Sequence, residues 1–172
     1  MRKFWLILYY TLAIHLPDSY LPYIGRISNS FRIYICRHLF KKLGIKTIIQ
    51  KGVQFGNGEN VELGDYSSIG KNSLIPNNTK IGNYVMIAQD LYIIANNHAF
   101  SDITTPMYFQ HNELKLETII DDDIWIGAKV IITPGRKIAK GSIIGAGSVV
   151  TKNIPENQIW AGNPAKFIKN RN

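Results

Sequence analysis

The sequence predicts an all-β solenoid in which very short strands stack as repeated coils. An aliphatic residue recurs at every sixth position, a glycine or alanine often follows it, and a compact side chain stands four places after it. A period of six is neither helical nor the simple alternation of a strand. Such repeats indicate an architecture in which each coil buries its face against its neighbours. The aliphatic positions are Leu63, Ile69, Ile75, Ile81, Ile87, Ile93, Ile120, Ile126, Ile132, Ile138, Ile144 and Val150.

The N-terminal segment, residues 1–44, precedes the repeat. The chain has a net charge of +8, and residues 1–46 contribute +7 of it through eight basic side chains and the single acid Asp18. Its apolar run is shorter than the roughly 20 residues that cross a bilayer, and it lacks the cleavage site of a signal peptide. We expect a short helical segment that covers one end of the solenoid, contacts another subunit or lies against a membrane surface. No nucleic-acid-binding motif accompanies the charge, so we expect no such partner.

The solenoid is expected to begin near residue 45. Ile49, Phe55 and Val61 keep the period of six but stand two residues out of phase with the later positions. They indicate one further coil followed by a small slip. The glycines that follow the aliphatic residues are expected at corners, where their backbone freedom would be needed.

The repeat is interrupted between Ile93 and Ile120. These residues are 27 apart, which is not a multiple of six, so the chain must leave the coil and return. We expect a loop over residues 96–118, and loops of this length in compact domains are usually functional. The loop contains His98.

The lone cysteine, Cys36, excludes an intramolecular disulfide. A reducing compartment is therefore favoured over a secreted location. We expect a cytoplasmic protein, with contact to the inner face of the plasma membrane as an open alternative.

The repeat, together with the block from Asp123 to Lys169, "DIWIGAKVIITPGRKIAKGSIIGAGSVVTKNIPENQIWAGNPAKFIK", resembles the hexapeptide-repeat acyltransferases. The block is similar to the sugar and polysaccharide O-acetyltransferase branch, which includes galactoside and maltose acetyltransferases. The resemblance implies a left-handed parallel β-helix over residues 45–169, followed by a tail at 170–172. It also implies a homotrimer with active sites between subunits, and acetyl-CoA as co-substrate with no metal required.

His98, in "NNHAFSD", matches the position of the family's catalytic histidine. Acetyl transfer to an alcohol needs a base that takes the hydroxyl proton during attack, and a neutral imidazole does this at modest cost. The expected reaction is a direct attack without an acyl-enzyme. Trp125 matches an aromatic residue that lines the family's acceptor site, and we expect Asn97, next to His98, to contact the acceptor sugar as well.

The acetyl-CoA contacts are carried over from the resemblance position by position. Small residues would let the pantetheine arm approach the backbone, threonine and lysine would contact the cofactor after the last coils, and tail lysines would meet its phosphates. These residues are Ala128, Ala146, Thr151, Lys152, Lys166 and Lys169.

The expected function is therefore transfer of acetyl from acetyl-CoA to a sugar hydroxyl of a capsule, exopolysaccharide, O-antigen or precursor. A small-molecule sugar acetyltransferase of the galactoside or maltose type is the alternative, followed by a non-catalytic assembly module. A zinc carbonic anhydrase on the same fold would need three converging histidines, and only His98 and His111 stand in the repeat region.

Overall fold

The structure, a computed structural model, describes residues 1–110 and 116–171. Two α-helices, α1 (Arg2–Thr11) and α2 (Ile24–Cys36), precede a series of short strands. In chain order the strands are β1 (Lys42–Leu43), β2 (Ile48–Ile49), β3 (Glu62–Leu63), β4 (Ser68–Ile69), β5 (Thr79–Ile81), β6 (Met86–Ile87), β7 (Tyr92–Ile93), β8 (Thr118–Ile120), β9 (Trp125–Ile126), β10 (Ile131–Ile132), β11 (Lys137–Ile138), β12 (Ile143–Ile144), β13 (Val149–Val150), β14 (Gln158–Ala161) and β15 (Lys166–Asn170).

The strands form three sheets that are the faces of a triangular solenoid. Face A stacks β1, β3, β5, β8 and β11, and face B stacks β2, β4, β6, β9, β12, β14 and β15. Face C stacks β7, β10 and β13, and single bridges of Gln54 and Leu74 extend it towards the first coil. The chain visits the faces in the order A, B, C in every coil. All neighbours are parallel except β14 and β15.

The register of the strands follows the sequence period. Leu63 pairs with Ile81, an offset of 18 residues, or three strands of six. The first coil is longer, because Ile49 pairs with Ile69 at an offset of 20 residues, and this is the predicted slip. The predicted fold class, a left-handed parallel β-helix with a helical N-terminal segment and an inserted loop, is confirmed.

The interior of the solenoid contains the residues that the period selects. All twelve aliphatic positions are buried, as are the compact residues that stand four places after them in the repeat. The hydroxyl group of Ser67 donates to the carbonyl oxygen of Gly82 at 2.7 Å and accepts from the N–H of Val85 at 3.0 Å. A serine in the stack therefore satisfies its own polar group while linking consecutive coils.

The glycines that follow the aliphatic residues have a different role from the predicted one. Positive φ angles occur elsewhere in the turns, for example at Tyr66 (φ 55) and Tyr84 (φ 58), and not at Gly64 or Gly70. A Cβ on Gly64 would lie 2.4 Å from the carbonyl oxygen of Gly82 in the next coil. These glycines are required because the coils approach closely, and the expected backbone freedom is not used there.

The two helices cover the first coil. The hydroxyl of Tyr9 on α1 donates to the carbonyl of Val53 at 2.9 Å. Arg32 on α2 is fully buried, and its guanidinium donates at 2.7 Å to the carbonyl of Ile49. The same group donates to the carbonyls of Ala13, Leu16 and Pro17 and to the hydroxyl of Ser19. One buried cation thus joins α2, the preceding segment and the solenoid by hydrogen bonds that satisfy it without a direct carboxylate partner.

Cys36 packs inside this cap. It is buried, and burial raises the pKa of its thiol. Neither α1 nor α2, nor any other helix in the described part of the chain, combines the length and the apolar character that crossing a membrane requires.

Candidate active site

The inserted loop leaves the solenoid at the edge between faces C and A. The N–H of Ile94, just after β7, donates to the carbonyl of Ile132 at 2.9 Å, and the chain rejoins face A at Thr118. Asn97 and His98 follow within four residues of Ile94, and both are exposed. The candidate base therefore stands at the outer surface of the stack, accessible to an acceptor. His111, further along the loop, lies outside the described residues.

Hydrogen bonds within the loop hold its described part together. The side-chain amide of Gln110 donates to the carbonyls of Asp102 and Thr105, both at 2.7 Å. The carboxylate of Asp102 accepts from the hydroxyl of Thr104 at 2.6 Å and from its N–H at 2.8 Å. The hydrogen bond from the Thr104 hydroxyl is the largest of the effects that lower the pKa of Asp102 to about 2. These contacts order the segment that follows His98.

Three of the predicted acetyl-CoA residues meet in one groove. Thr151, Lys152 and Lys166 line a cavity of about 330 Å³ together with Trp160 and Phe167. The two aromatic residues were not predicted, although both stand in the block that carried the resemblance. The indole N–H of Trp160 donates to the Oε1 of Gln158 at 2.8 Å, which fixes the ring in the wall of the groove. The groove combines two cations with an apolar wall, and this suits a ligand with phosphates and an apolar portion.

The loop departs from the edge of the solenoid that Thr151, at one side of the groove, follows two coils further on. The N–H of Ile94 bonds to the coil of Ile132, and the N–H of Thr133 in that coil bonds to Val150 at 3.0 Å. Thr151 follows directly. Because neighbouring strands in a sheet lie about 4.8 Å apart, the point where the loop departs lies about 10 Å from Thr151 along the axis.

Ala128 and Ala146 lie at the next edge, between faces B and C. They occupy equivalent places in successive coils, and the N–H of Gly147 donates to the carbonyl of Ala128 at 2.8 Å. Ala146 is exposed and Ala128 half-buried. A Cβ on Gly147 would meet no atom within 4 Å, so the space beside this edge is open. An extended ligand therefore has room to lie against the backbone here.

Trp125 and Lys169 are on face B. Trp125 is 52% exposed and pairs in register with Met86, whose side chain is also exposed. Lys169 is on β15, where it pairs with Ile159, and it does not line the groove. In a triangular section, face B lies opposite the edge between faces C and A. Trp125 therefore lies on the face opposite the edge at which the loop with His98 departs.

The described residues contain no group of three or more His, Cys, Asp or Glu side chains placed to hold a metal ion. The charged residues that line the groove are Lys152 and Lys166. The arrangement suits recognition of an anionic ligand.

Known proteins resemble this chain in architecture and in sequence. No protein-family model matches the chain. The chain is 34% identical over 134 residues to a galactoside O-acetyltransferase of Lactococcus lactis, a match that covers 76% of this chain and 63% of that protein. It is 31% identical over 147 residues to the galactoside O-acetyltransferase of Escherichia coli K12, covering 80% of this chain and 68% of the relative. The chain belongs to the hexapeptide-repeat acetyltransferases.

Within this family, the relatives include sugar and polysaccharide enzymes. The match to WbbJ of Escherichia coli K12, named for O-acetyl transfer in lipopolysaccharide biosynthesis, is 33% identical over 129 residues and covers 69% of this chain and 64% of WbbJ. A solved galactoside acetyltransferase in complex with coenzyme A has a TM-score of 0.82 and 27% identity, and the match covers 99% of this chain and 80% of that one. A maltose O-acetyltransferase from Clostridium difficile has a TM-score of 0.78 and 30% identity, with coverage of 98% and 85%. These relatives confirm the predicted family, and the chain spans about two thirds of the length of the curated relatives named above.

Proposed function

We propose that this acetyltransferase moves the acetyl group of acetyl-CoA to a sugar hydroxyl of a surface polysaccharide or its precursor, with His98 as general base. One observation carries the proposal: the loop with His98 departs from the edge of the solenoid that Thr151 and Lys152 follow two coils further on, and these two residues line a basic groove together with Lys166 of β15. A base and an anion-binding groove thus stand about two coils apart, and coils are about 4.8 Å apart.

The reaction is a direct transfer. The sugar hydroxyl attacks the carbonyl carbon of the thioester while the imidazole of His98 takes its proton. The C–S bond of the tetrahedral intermediate then breaks, and the protonated imidazole returns the proton to the departing sulfur. The products are the acetyl ester and the free thiol of CoA. The exposed position of His98 allows the acceptor to approach from outside.

Acetyl-CoA is proposed to bind with its phosphates at Lys152 and Lys166. Lysine supplies a point charge that suits phosphate without the planar geometry an arginine would impose. Trp160 and Phe167 form the apolar wall of the same groove. The open edge at Ala128 and Ala146 would accept the pantetheine arm, because small side chains there let an extended ligand lie on the backbone.

The complete site is proposed to form between two subunits of a homotrimer. Trp125 lies on the face opposite the edge at which the loop with His98 departs, so we infer that a second copy completes a site that uses both. The outward side chains of face C are largely apolar, including the exposed Tyr92 and Ile131. Face A instead has ion pairs such as that between Lys80 and Glu117, at 2.8 Å. We infer that faces B and C are covered in the trimer, while face A remains in solvent.

The acceptor is proposed to be a polysaccharide unit, acetylated in the cytoplasm where acetyl-CoA is made. Asn97 and Trp125 would contact it, since an exposed indole offers an apolar face to a sugar ring and an amide offers hydrogen bonds. The galactoside-named relatives support free sugars as the alternative acceptor.

The test combines calorimetry of acetyl-CoA binding with release of the CoA thiol in the presence of two acceptor panels. One panel holds fragments of surface polysaccharide, and the other holds galactosides and maltose. We expect binding of acetyl-CoA and faster thiol release with the polysaccharide fragments. Faster release with the simple sugars would favour the alternative acceptor. Binding without release by any acceptor, or no binding, would contradict the proposed transfer and favour a non-catalytic module.

A further inference from the structure

The helical cap presents an apolar stripe to the outside along α2. Ile24, Ile27, Phe31 and Tyr34 follow one another at spacings of three, four and three residues, which puts them on one side of the helix. Ile27 is 70% exposed, Ile24 and Tyr34 are also exposed, and Phe31 is half-buried. The opposite side of α2 already packs on the solenoid. The stripe is therefore apolar surface that stays exposed after this chain has folded.

A second stripe on α1 continues this surface. Phe4 and Ile7 are exposed, and they share one side of the helix at a spacing of three residues. The ring of Trp5 lies 5.2 Å from the ring of Phe4 and 5.6 Å from that of Tyr34, so the two stripes meet at Trp5. The surface therefore extends over both helices, along an α2 that is about 20 Å long.

The segment before α2 adds an aromatic end to the surface. Tyr23 is 92% exposed, and it lines an open cleft of about 740 Å³ with Arg26 and Ile27. We call the resulting patch the cap surface. Its principal members are Phe4, Ile7, Tyr23, Ile24, Ile27 and Tyr34.

The charges beside the cap surface are positive. Lys3, Arg26 and Arg37 are exposed on or next to the two helices. Asp18, the one acid among residues 1–46, forms an ion pair with Lys71. A second copy of the chain on this surface would bring two segments of charge +7 together, and like charges oppose that contact.

We propose that the cap surface docks the protein on an anionic lipid bilayer, with α1 and α2 lying in the plane of the interface. Exposed isoleucine and phenylalanine side chains would enter the boundary of the acyl chains, while tyrosine and tryptophan rings suit the headgroup level. Lys3, Arg26 and Arg37 extend from the flanks, where their charged ends would meet lipid phosphates. The solenoid would then project away from the bilayer, with its coils stacked above the cap. Docking does not depend on acetyl transfer.

The test is sedimentation of the full chain with vesicles of phosphatidylglycerol or of phosphatidylcholine, at low and at high salt. Two tyrosines with left-handed backbone provide a matched pair, Tyr23 at φ 62 in the cap surface and Tyr84 at φ 58 on the side of the solenoid. Aspartate tolerates this conformation. We expect tight binding to phosphatidylglycerol only. Tyr23→Asp should weaken it about five-fold, and the matched Tyr84→Asp less than about two-fold. The double variant Tyr23→Asp, Ile27→Glu should weaken binding at least about ten-fold, and Arg26→Gln about five-fold.

Each other result would overturn the docking proposal. Absence of binding to phosphatidylglycerol at low salt would do so, as would equal binding to both vesicles or equal losses in the Tyr23 and Tyr84 variants. Self-association that the double variant abolishes would show instead that the cap surface joins copies of this chain. Thermal melting checks that the variants are folded. Thiol release with soluble acceptor is recorded in parallel, so failure of docking and failure of acetyl transfer are separate results.

Discussion

The side-chain amide of Gln110 donates a hydrogen bond of 2.7 Å to the main-chain carbonyl of Asp102, eight residues earlier. The same amide reaches the carbonyl of Thr105 at 2.7 Å. One side chain thus closes the described part of the loop upon itself, just after His98. Since both acceptors are main-chain atoms, the closure depends on Gln110 alone.

Replacing Gln110 by leucine should lower turnover by about ten-fold, because two carbonyls lose their donor and the loop no longer holds His98 in place. The affinity for acetyl-CoA should change by less than about two-fold. Steady-state kinetics and calorimetry measure the two quantities. Asn60→Leu, at an exposed amide just ahead of β3 on face A, is the control. A Gln110 variant with normal turnover would show that the closure has no part in positioning the base.

Close stacking of the coils predicts a stability effect at Gly64. A Cβ there would lie 2.4 Å from the carbonyl oxygen of Gly82, so Gly64→Ala should lower the free energy of unfolding by about 2–4 kcal/mol. Gly56 has a φ of 62 and open space around it, so Gly56→Asn, which tolerates that angle, should cost about 0.5 kcal/mol or less. Denaturant unfolding compares the two. Equal losses of unfolding free energy in the Gly64 and Gly56 variants would contradict the prediction and would mean that neighbouring coils move apart to accommodate a Cβ.

The groove predicts an electrostatic contribution to cofactor binding. Lys152→Ala and Lys166→Ala should each weaken acetyl-CoA binding by about five- to ten-fold, and the effect should shrink at high salt because exposed charges are screened. Lys137→Ala removes the same charge from face A, where the side chain pairs with Asp121 at 3.2 Å, and should leave the affinity unchanged. If all three variants bind alike, the phosphates lie elsewhere.

The repeat was predictable because each aliphatic position has the same environment in every coil. The slip ahead of Leu63 was also predictable, because the earlier aliphatic positions are two residues out of phase. The structure agrees, since Ile49 and Ile69 pair at an offset of 20 residues. The reason for the glycines could not be predicted from the sequence, because both a close approach of two main chains and a left-handed turn favour glycine. The structure separates the two causes: Gly64 faces the backbone of Gly82, whereas positive φ angles fall at other turn residues.

The lining of the candidate groove was predictable only in part. Thr151 and Lys166 were predicted by resemblance, but Trp160 and Phe167, which line the same groove, were not, because β14 and β15 pair antiparallel after the period ends. A period of six carries no information about such a pairing. The burial of Arg32 could not be predicted either, because its main partners are backbone carbonyls, which every residue has whatever its side chain.

The proposed general base is tested most directly by His98→Ala, measured as kcat of thiol release and as affinity for acetyl-CoA. Loss of the base should lower kcat by about 10²–10⁴-fold, while acetyl-CoA affinity stays within about two-fold, because the proposed cofactor groove does not include His98. Thermal melting should match the unaltered protein, since the side chain is exposed. A His98→Ala protein that releases thiol at the normal rate with a polysaccharide acceptor would contradict the proposed mechanism.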